Sequence, residues 1–136
     1  MNRKRTALIW LLRIMGAMAA TALLAMLLPV EWMATTHAWL GLGEFPRDGI
    51  VSYLARSLSM FYGLIGLLIL LLSTDVERFR PIIRYAGWGS IVAGVCLLGI
   101  GLEAELPRWW SWHEGPSSTA FGIAVLWLLK GVEAPS

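Results

Sequence analysis

Residues 50–72, IVSYLARSLSMFYGLIGLLILLL, form an apolar run with a single charged side chain, Arg56. A bilayer core is about 30 Å thick and needs roughly 20 helical residues to cross it. Residues 7–28 and 82–102 are similarly long and apolar, and a shorter run, 116–129, follows a tryptophan-rich segment. The pattern predicts an all-α integral membrane protein whose four helices form one transmembrane bundle.

Composition indicates that nearly the whole chain lies in a membrane. The chain has 136 residues, of which 57% are hydrophobic and 15% charged, and its mean hydropathy is +0.66. Soluble domains are about half apolar and about a quarter charged. We therefore expect a single transmembrane domain, residues 1–136, whose partner is the lipid bilayer and not nucleic acid.

Basic side chains are unevenly distributed among the segments that flank the apolar runs. Most lie at the N-terminus, between the second and third runs, and at the C-terminus: Arg3, Lys4, Arg5, Arg78, Arg80, Arg84 and Lys130. Arg47 and Arg108 occupy the other two connections. Because short cytoplasmic loops are enriched in Lys and Arg, both termini of this multi-pass protein are predicted to be cytoplasmic, and its first and third connections external.

The N-terminal run resembles a secretory signal, with a basic start and an Ala17-Met18-Ala19 triplet. The apolar run continues beyond that triplet, and Arg13 interrupts the core that a signal peptide needs. We therefore expect a transmembrane helix and no cleavage. Cys96 is the only cysteine and is expected to be a buried, inert thiol.

Small residues recur at helical spacing in the three long runs. Gly16 and Ala20 are four residues apart in the first. The second and third runs carry longer series: Ser52, Arg56, Ser59, Gly63 and Gly66, then Gly87, Ser90, Gly94 and Gly101. Small side chains let helix backbones approach closely in lipid, so these series predict the faces at which the helices pack.

The two external connections are rich in tryptophan. Residues 29–49 include Trp32 and Trp39, and this segment could form a short interfacial helix. The tryptophans of the other connection, residues 103–115, are Trp109, Trp110 and Trp112. Since tryptophan prefers the headgroup region, these segments predict a tryptophan-rich external cap.

Arg56 is the principal candidate site residue, because an unpaired arginine at membrane depth costs on the order of 3 kcal/mol. Carboxylates at the external ends of the predicted helices could pair with it: Glu31, Glu103 and Glu105. One interpretation is an ion pair that holds the bundle together. The other is an anchor for an anionic headgroup, a carboxylate or a quinone carbonyl, covered by Trp109 and Trp112.

His37 and His113 lie in the two external connections beside several glutamates. Two imidazoles with carboxylates could hold zinc or another divalent metal, and such a site would allow a hydrolase at the external face. Hydrogen-bonded interfacial histidines are the alternative. The apolar runs have no mid-membrane carboxylate for a proton-coupled pump, no paired histidines for haem and no CxxC for disulfide exchange. The leading interpretation is a non-enzymatic protein.

Three segments carry a family resemblance: WLGLG at 39–43, YLARSLS at 53–59 and WWSWHEGP at 109–116. They resemble an uncharacterised bacterial family of small four-span membrane proteins, and the likeness covers nearly the whole chain. It implies a multi-pass protein of the bacterial cell inner membrane. In layout alone, the chain is also similar to DoxX-like proteins, some of which are membrane subunits of quinone-reducing complexes.

These features predict a small structural or accessory membrane subunit whose small-residue faces contact helices of the chain, of a second copy or of a partner membrane protein. The alternative is a lipid- or quinone-binding module, in which Arg56 holds a polar headgroup beneath the tryptophan cap. No cofactor is predicted beyond such a quinone or bound lipid.

Overall fold

The computed structural model describes residues 2–132 and, within that range, contains α-helices and no β-strand. The all-α class is therefore confirmed. The helices are α1 (Arg3–Ala20), α2 (Ala22–Ala25), α3 (Val30–Trp39), α4 (Gly49–Leu72), α5 (Arg80–Glu103) and α6 (Arg108–Leu129). The break between α1 and α2 is at Thr21, whose hydroxyl donates to the Met18 carbonyl at 2.6 Å, and the two helices form one stretch, Arg3–Ala25.

Three helical stretches are long and apolar enough to cross a membrane: Arg3–Ala25, α4 and α5. Only 17%, 11% and 17% of their apolar windows, respectively, are buried inside the protein. Large apolar side chains such as Phe61, Leu68 and Val92 are exposed on them. Exposed apolar area is unfavourable in water by about 25 cal/mol per Å², so length, composition and exposure are all compatible with a membrane protein.

α6 begins at Arg108, well before residue 116, where the fourth apolar run starts. Its 22 residues measure about 33 Å at about 1.5 Å per residue, so it is long enough to cross a bilayer. Its N-terminal part is polar, however, and α6 is not among the stretches that are both long and apolar enough to cross.

The long external loop predicted at 103–115 is wrong, because the described connection between α5 and α6 is only residues 104–107. Pro116 lies inside α6 without ending it. A proline clashes with the Cβ and N–H of the residue before it, and here that residue is Gly115, which has no Cβ. The short helix predicted within 29–49 is present as α3, directly after Pro29.

The described residues form two compact units, residues 2–12 with 71–132, and residues 13–70. In the first unit, α5 and α6 pack antiparallel through small residues. A Cβ on Gly94 would lie 2.5 Å from the Gly115 carbonyl oxygen, and the Ser118 hydroxyl donates to the Ser90 carbonyl at 3.0 Å. The packing face predicted for the third run is therefore confirmed.

Cys96 was expected to be buried, but it is exposed. It follows Gly94 by two residues, so it lies about 200° around the helix from the buried face that contains Gly94.

The core of this first unit lies at one end. Its best-buried large side chains, Leu8, Val76, Ile83 and Val125, are at most 1% exposed. They come from α1, from the connection between α4 and α5, from α5 and from α6. The first unit therefore buries apolar surface where the N-terminal segment, this connection and the last turns of α6 come together.

In the second unit, residues 13–70, α1 and α4 are in backbone contact. A Cβ on Gly16 would lie 3.0 Å from the Gly66 carbonyl oxygen, and one on Gly66 would lie 2.7 Å from the Gly16 carbonyl oxygen. A Cβ on Gly63 would lie 2.4 Å from the Cγ atom of the Leu23 side chain. The small residues at positions 16, 63 and 66 thus lie where the sequence predicted helix contact.

Candidate functional site

Arg56 lies in α4, within residues 13–70, and is exposed. Its Nη2 donates a hydrogen bond to the Leu28 carbonyl oxygen at 3.3 Å. Leu28 is just beyond the end of the Arg3–Ala25 stretch, where carbonyl groups lack helical partners and a positive charge is favourable. Arg56 therefore contacts a backbone group at a helix end.

Of the carboxylates predicted to pair with Arg56, Glu31 is in the same unit, at the start of α3. Within residues 13–70, no carboxylate forms an ion pair with Arg56, and Glu31 is exposed. Glu103 and Glu105 belong to the other unit, at the C-terminal end of α5, and both are exposed there. The Leu28 carbonyl was missed because a backbone acceptor has no signature in the sequence.

Glu105 has a left-handed backbone conformation, with φ of 53°. The Leu106 N–H donates to the Gly101 carbonyl at 3.1 Å, and the Glu105 N–H donates to the Leu102 carbonyl at 3.3 Å. This is the Schellman pattern that ends a helix, and it usually places glycine at the left-handed position. α3 ends in the same pattern with Gly41, φ 74°, at that position. Glu105 thus carries local backbone strain.

Trp109 and Trp112 are exposed on the first turns of α6. The Trp109 and Trp110 rings contact edge to face, with centroids 5.4 Å apart. The Trp110 Nε1 donates to the Glu114 carboxylate at 2.8 Å. Trp110 and Glu114 are four residues apart, a spacing at which side chains face each other on a helix. The sequence did not predict this bond, because the segment was expected to be a loop.

The two histidines lie in different units. The His37 Nδ1 is 3.1 Å from the Gly43 carbonyl oxygen, and its ring contacts Phe45 edge to face at 5.5 Å. Because a carbonyl only accepts, Nδ1 is assigned the proton. His113 is exposed on α6. Among residues 2–132, no group of three His, Cys, Asp or Glu is placed to hold a metal ion.

The second unit has a cavity of about 590 Å³ beside α3. It is lined by Ala34, Ala38, Glu44, Phe45, Pro46 and Arg47. The lining combines one negative charge, one positive charge and apolar surface.

A set of contacts in the first unit joins the two ends of the described chain to each other, to the connection between α4 and α5 and to the start of α5. Arg5 forms an ion pair with Glu77. Arg80 donates to the Val132 carbonyl, and Asn2 donates to the Gly131 carbonyl. We call these three contacts the terminal junction. The distribution of basic residues predicts that these segments lie on one side of the membrane, but it does not predict the contacts, which depend on side-chain conformation.

The terminal junction lowers the pKa of Glu77 below its ordinary value, chiefly because Arg5 donates a hydrogen bond to the ionised carboxylate. Desolvation opposes this shift.

Comparison with known proteins finds no matching family model, no similar curated protein and no similar solved structure.

Proposed function

We propose that the chain is a small integral membrane protein of the bacterial inner membrane that acts as a structural or accessory subunit, associating with a second copy or a partner membrane protein. The observation that carries this proposal is an outward face of α5. Small residues recur on it at helical spacing, and all are exposed: Gly89, Ala93, Cys96 and Gly99. A Cβ on Gly89 or Gly99 would meet nothing within 4 Å. Small exposed residues allow close approach of another helix in lipid.

We propose four membrane crossings, by Arg3–Ala25, α4, α5 and α6. The terminal junction supports an even number, because Asn2 in the N-terminal segment contacts residue 131, after α6. With three helices crossing, α6 must cross as well for both ends to lie on one side. The basic residues of these segments favour the cytoplasmic side.

On the external side, we propose that two tryptophan-rich segments, α3 in one unit and the first turns of α6 in the other, each lie at the membrane interface. Trp32 and Trp39 are 64% and 84% exposed on α3, and Trp109 and Trp112 are exposed on α6. Exposed tryptophan is favourable at the headgroup level. This supports an interfacial position for α3.

Cysteine labelling tests the orientation. In a Cys96→Ala background, Thr74→Cys places a thiol between α4 and α5, and Glu44→Cys places one between α3 and α4. A membrane-impermeant maleimide should label Glu44→Cys in intact cells, and Thr74→Cys only after permeabilisation. The reverse pattern would overturn the proposed orientation.

Purification in mild detergent followed by native mass spectrometry tests the accessory role. We expect a stoichiometric second copy or partner, which the Gly89→Leu/Gly99→Leu variant should lose. Ala17→Leu adds bulk at an exposed position of α1 and should retain it. If the partner is a second copy, oxidation should also link the chains through Cys96. A wild-type chain that is monomeric and alone would overturn the accessory role.

A specific observation favours the alternative, a lipid- or quinone-binding module. Arg56 makes a single hydrogen bond to other described residues, although a guanidinium has five N–H donors. The remaining donors are available to an anionic headgroup or a quinone carbonyl. Arg56→Gln should then leave the helical content unchanged and abolish a co-purifying small molecule, whereas equal ligand in the variant would eliminate this role.

A further inference from the structure

A basic groove of about 270 Å³ lies in the first unit, where α5 begins and α6 ends. It is lined by Arg80, Arg84, Trp88, Leu126, Leu129 and Lys130. All six residues belong to one compact unit. The groove lies on the proposed cytoplasmic side, distant in sequence from Arg56 and its helix-end contact.

The lining residues occupy one face of each helix. Arg80, Arg84 and Trp88 follow one another at four-residue steps on α5, and such steps place side chains on the same face. Leu126 and Lys130 have the same spacing along the end of α6. The basic groups are therefore at the helix ends, with Trp88 and Leu126 about one turn further in.

The charged side chains that line the groove are all basic. No Asp or Glu of the described residues lines it. Arg84 and Lys130 are exposed and make no hydrogen bond or ion pair with other described residues. The N-terminus of α5 and the C-terminus of α6 contribute opposite ends of their helix dipoles, so the net charge comes from the basic side chains, and the first turn of α5 contains no acidic residue. The groove thus favours an anion.

We propose that the basic groove binds the anionic headgroup of a phospholipid, with an acyl chain lying along Trp88 and Leu126. Leu129, at 2% exposure, forms an apolar floor beside the charges. A phospholipid can contact this apolar surface favourably, whereas inorganic phosphate cannot. Anionic lipids attract basic side chains at the cytoplasmic surface, and tryptophan prefers that depth. The inference rests on the proposed membrane insertion.

The test is native mass spectrometry of the full-length protein in detergent with equal amounts of dioleoyl phosphatidylglycerol and dioleoyl phosphatidylcholine. The wild type should retain phosphatidylglycerol in preference by about tenfold or more, as expected for a few basic groups near a membrane surface. The groove variant, Arg84→Gln/Lys130→Gln, should lose the preference. Arg80 is left unchanged because it binds the Val132 carbonyl and so supports the terminal junction.

The matched control is Arg3→Gln/Arg78→Gln, which removes the same charge at exposed positions outside the groove. It should keep the preference. An equal loss in both double variants would show nonspecific attraction and overturn the site. Arg84→Lys changes the same position but retains the positive charge, so it should retain the lipid. This variant separates the loss of charge from a folding defect caused by substitution at position 84.

Inorganic phosphate at millimolar concentration separates the two sources of the anion. Failure of phosphate to displace the lipid supports a lipid site, whereas full displacement overturns it in favour of a simple anion site. Alkaline carbonate extraction of membranes separates the two proposals. Release of the wild type would refute membrane insertion, whereas an inserted protein without lipid preference would refute the groove alone.

Discussion

Arg5 donates hydrogen bonds to both carboxylate oxygens of Glu77, through Nε to Oε1 and through Nη2 to Oε2 at 3.4 Å. The pair joins the first turns of α1 to the connection between α4 and α5. Such two-point geometry is the favourable arrangement for an arginine and a carboxylate. Both side chains remain about a third exposed, so solvent screens the pair and its contribution to stability is modest.

The Arg5–Glu77 pair predicts a pH-dependent stability. The pKa of Glu77 is lowered in the folded protein, so the stabilisation is present above the unfolded-state pKa and is lost as the pH falls through the folded-state pKa. Glu77→Gln should therefore lower the thermal unfolding midpoint slightly at neutral pH, with the difference vanishing as the pH falls through the lowered, folded-state pKa of Glu77. Thermal unfolding in detergent across this range measures it.

Glu44→Gln is the control for the Glu77 variant, because Glu44 is exposed and forms no described ion pair. It should show no comparable pH-dependent difference. The double variant Arg5→Gln/Glu77→Gln should lose little more than Glu77→Gln alone. Fully additive losses would contradict a coupled pair.

The contact between α5 and α6 predicts a sharp contrast between two glycines of α5. A Cβ at position 94 would lie 2.5 Å from the Gly115 carbonyl oxygen, whereas one at position 99 would meet nothing within 4 Å. Gly94→Ala should therefore destabilise the protein by about 1–3 kcal/mol through overpacking. Gly99→Ala should be neutral or stabilise by up to about 1 kcal/mol through helix propensity. Unfolding of both variants in one detergent provides the comparison, and equal stabilities would contradict the close helix approach.

These contact faces could be predicted because a helix bundle in lipid places two requirements on the sequence. An apolar run must be long enough to cross, and small residues at helical steps must lie where backbones meet. Positions 16, 66, 87 and 94 could therefore be assigned to helix contacts. Exposed small residues such as Gly89 could not be separated from buried ones, since both kinds follow the same spacing.

The remaining features could not be predicted because they depend on backbone conformation or on ambiguous residue types. The start of α6 at Arg108 was missed since tryptophan, histidine and serine occur both on helix surfaces and in loops. The Leu28 carbonyl that Arg56 contacts and the left-handed conformation of Glu105 belong to the backbone. No side-chain pattern specifies either of them.

Two adjacent isoleucines at the start of α5 give a test of the core. Ile83 is fully buried, whereas Ile82 is 46% exposed. Ile83→Ala should lower the free energy of unfolding by about 2–5 kcal/mol, because it removes buried apolar volume and leaves a cavity. Ile82→Ala removes the same atoms from an exposed site and should cost much less. Chemical denaturation of the two variants measures the difference, and similar losses would place the core elsewhere.

The left-handed conformation of Glu105 predicts that a glycine would stabilise the end of α5. An L-residue in this conformation is disfavoured by about 1–2 kcal/mol, and Glu105 occupies the position that Gly41 holds after α3. Glu105→Gly should raise the free energy of unfolding by about 1 kcal/mol, less the entropy that glycine adds to the unfolded chain.

Gly41→Ala, at the equivalent position after α3, should lower the free energy of unfolding by a similar amount. Glu103→Gly, at the last residue of α5, should destabilise, because glycine weakens a regular helix. Thermal unfolding in detergent ranks the three variants, and a destabilised Glu105→Gly protein would mean that the glutamate side chain makes a contact that outweighs the strain.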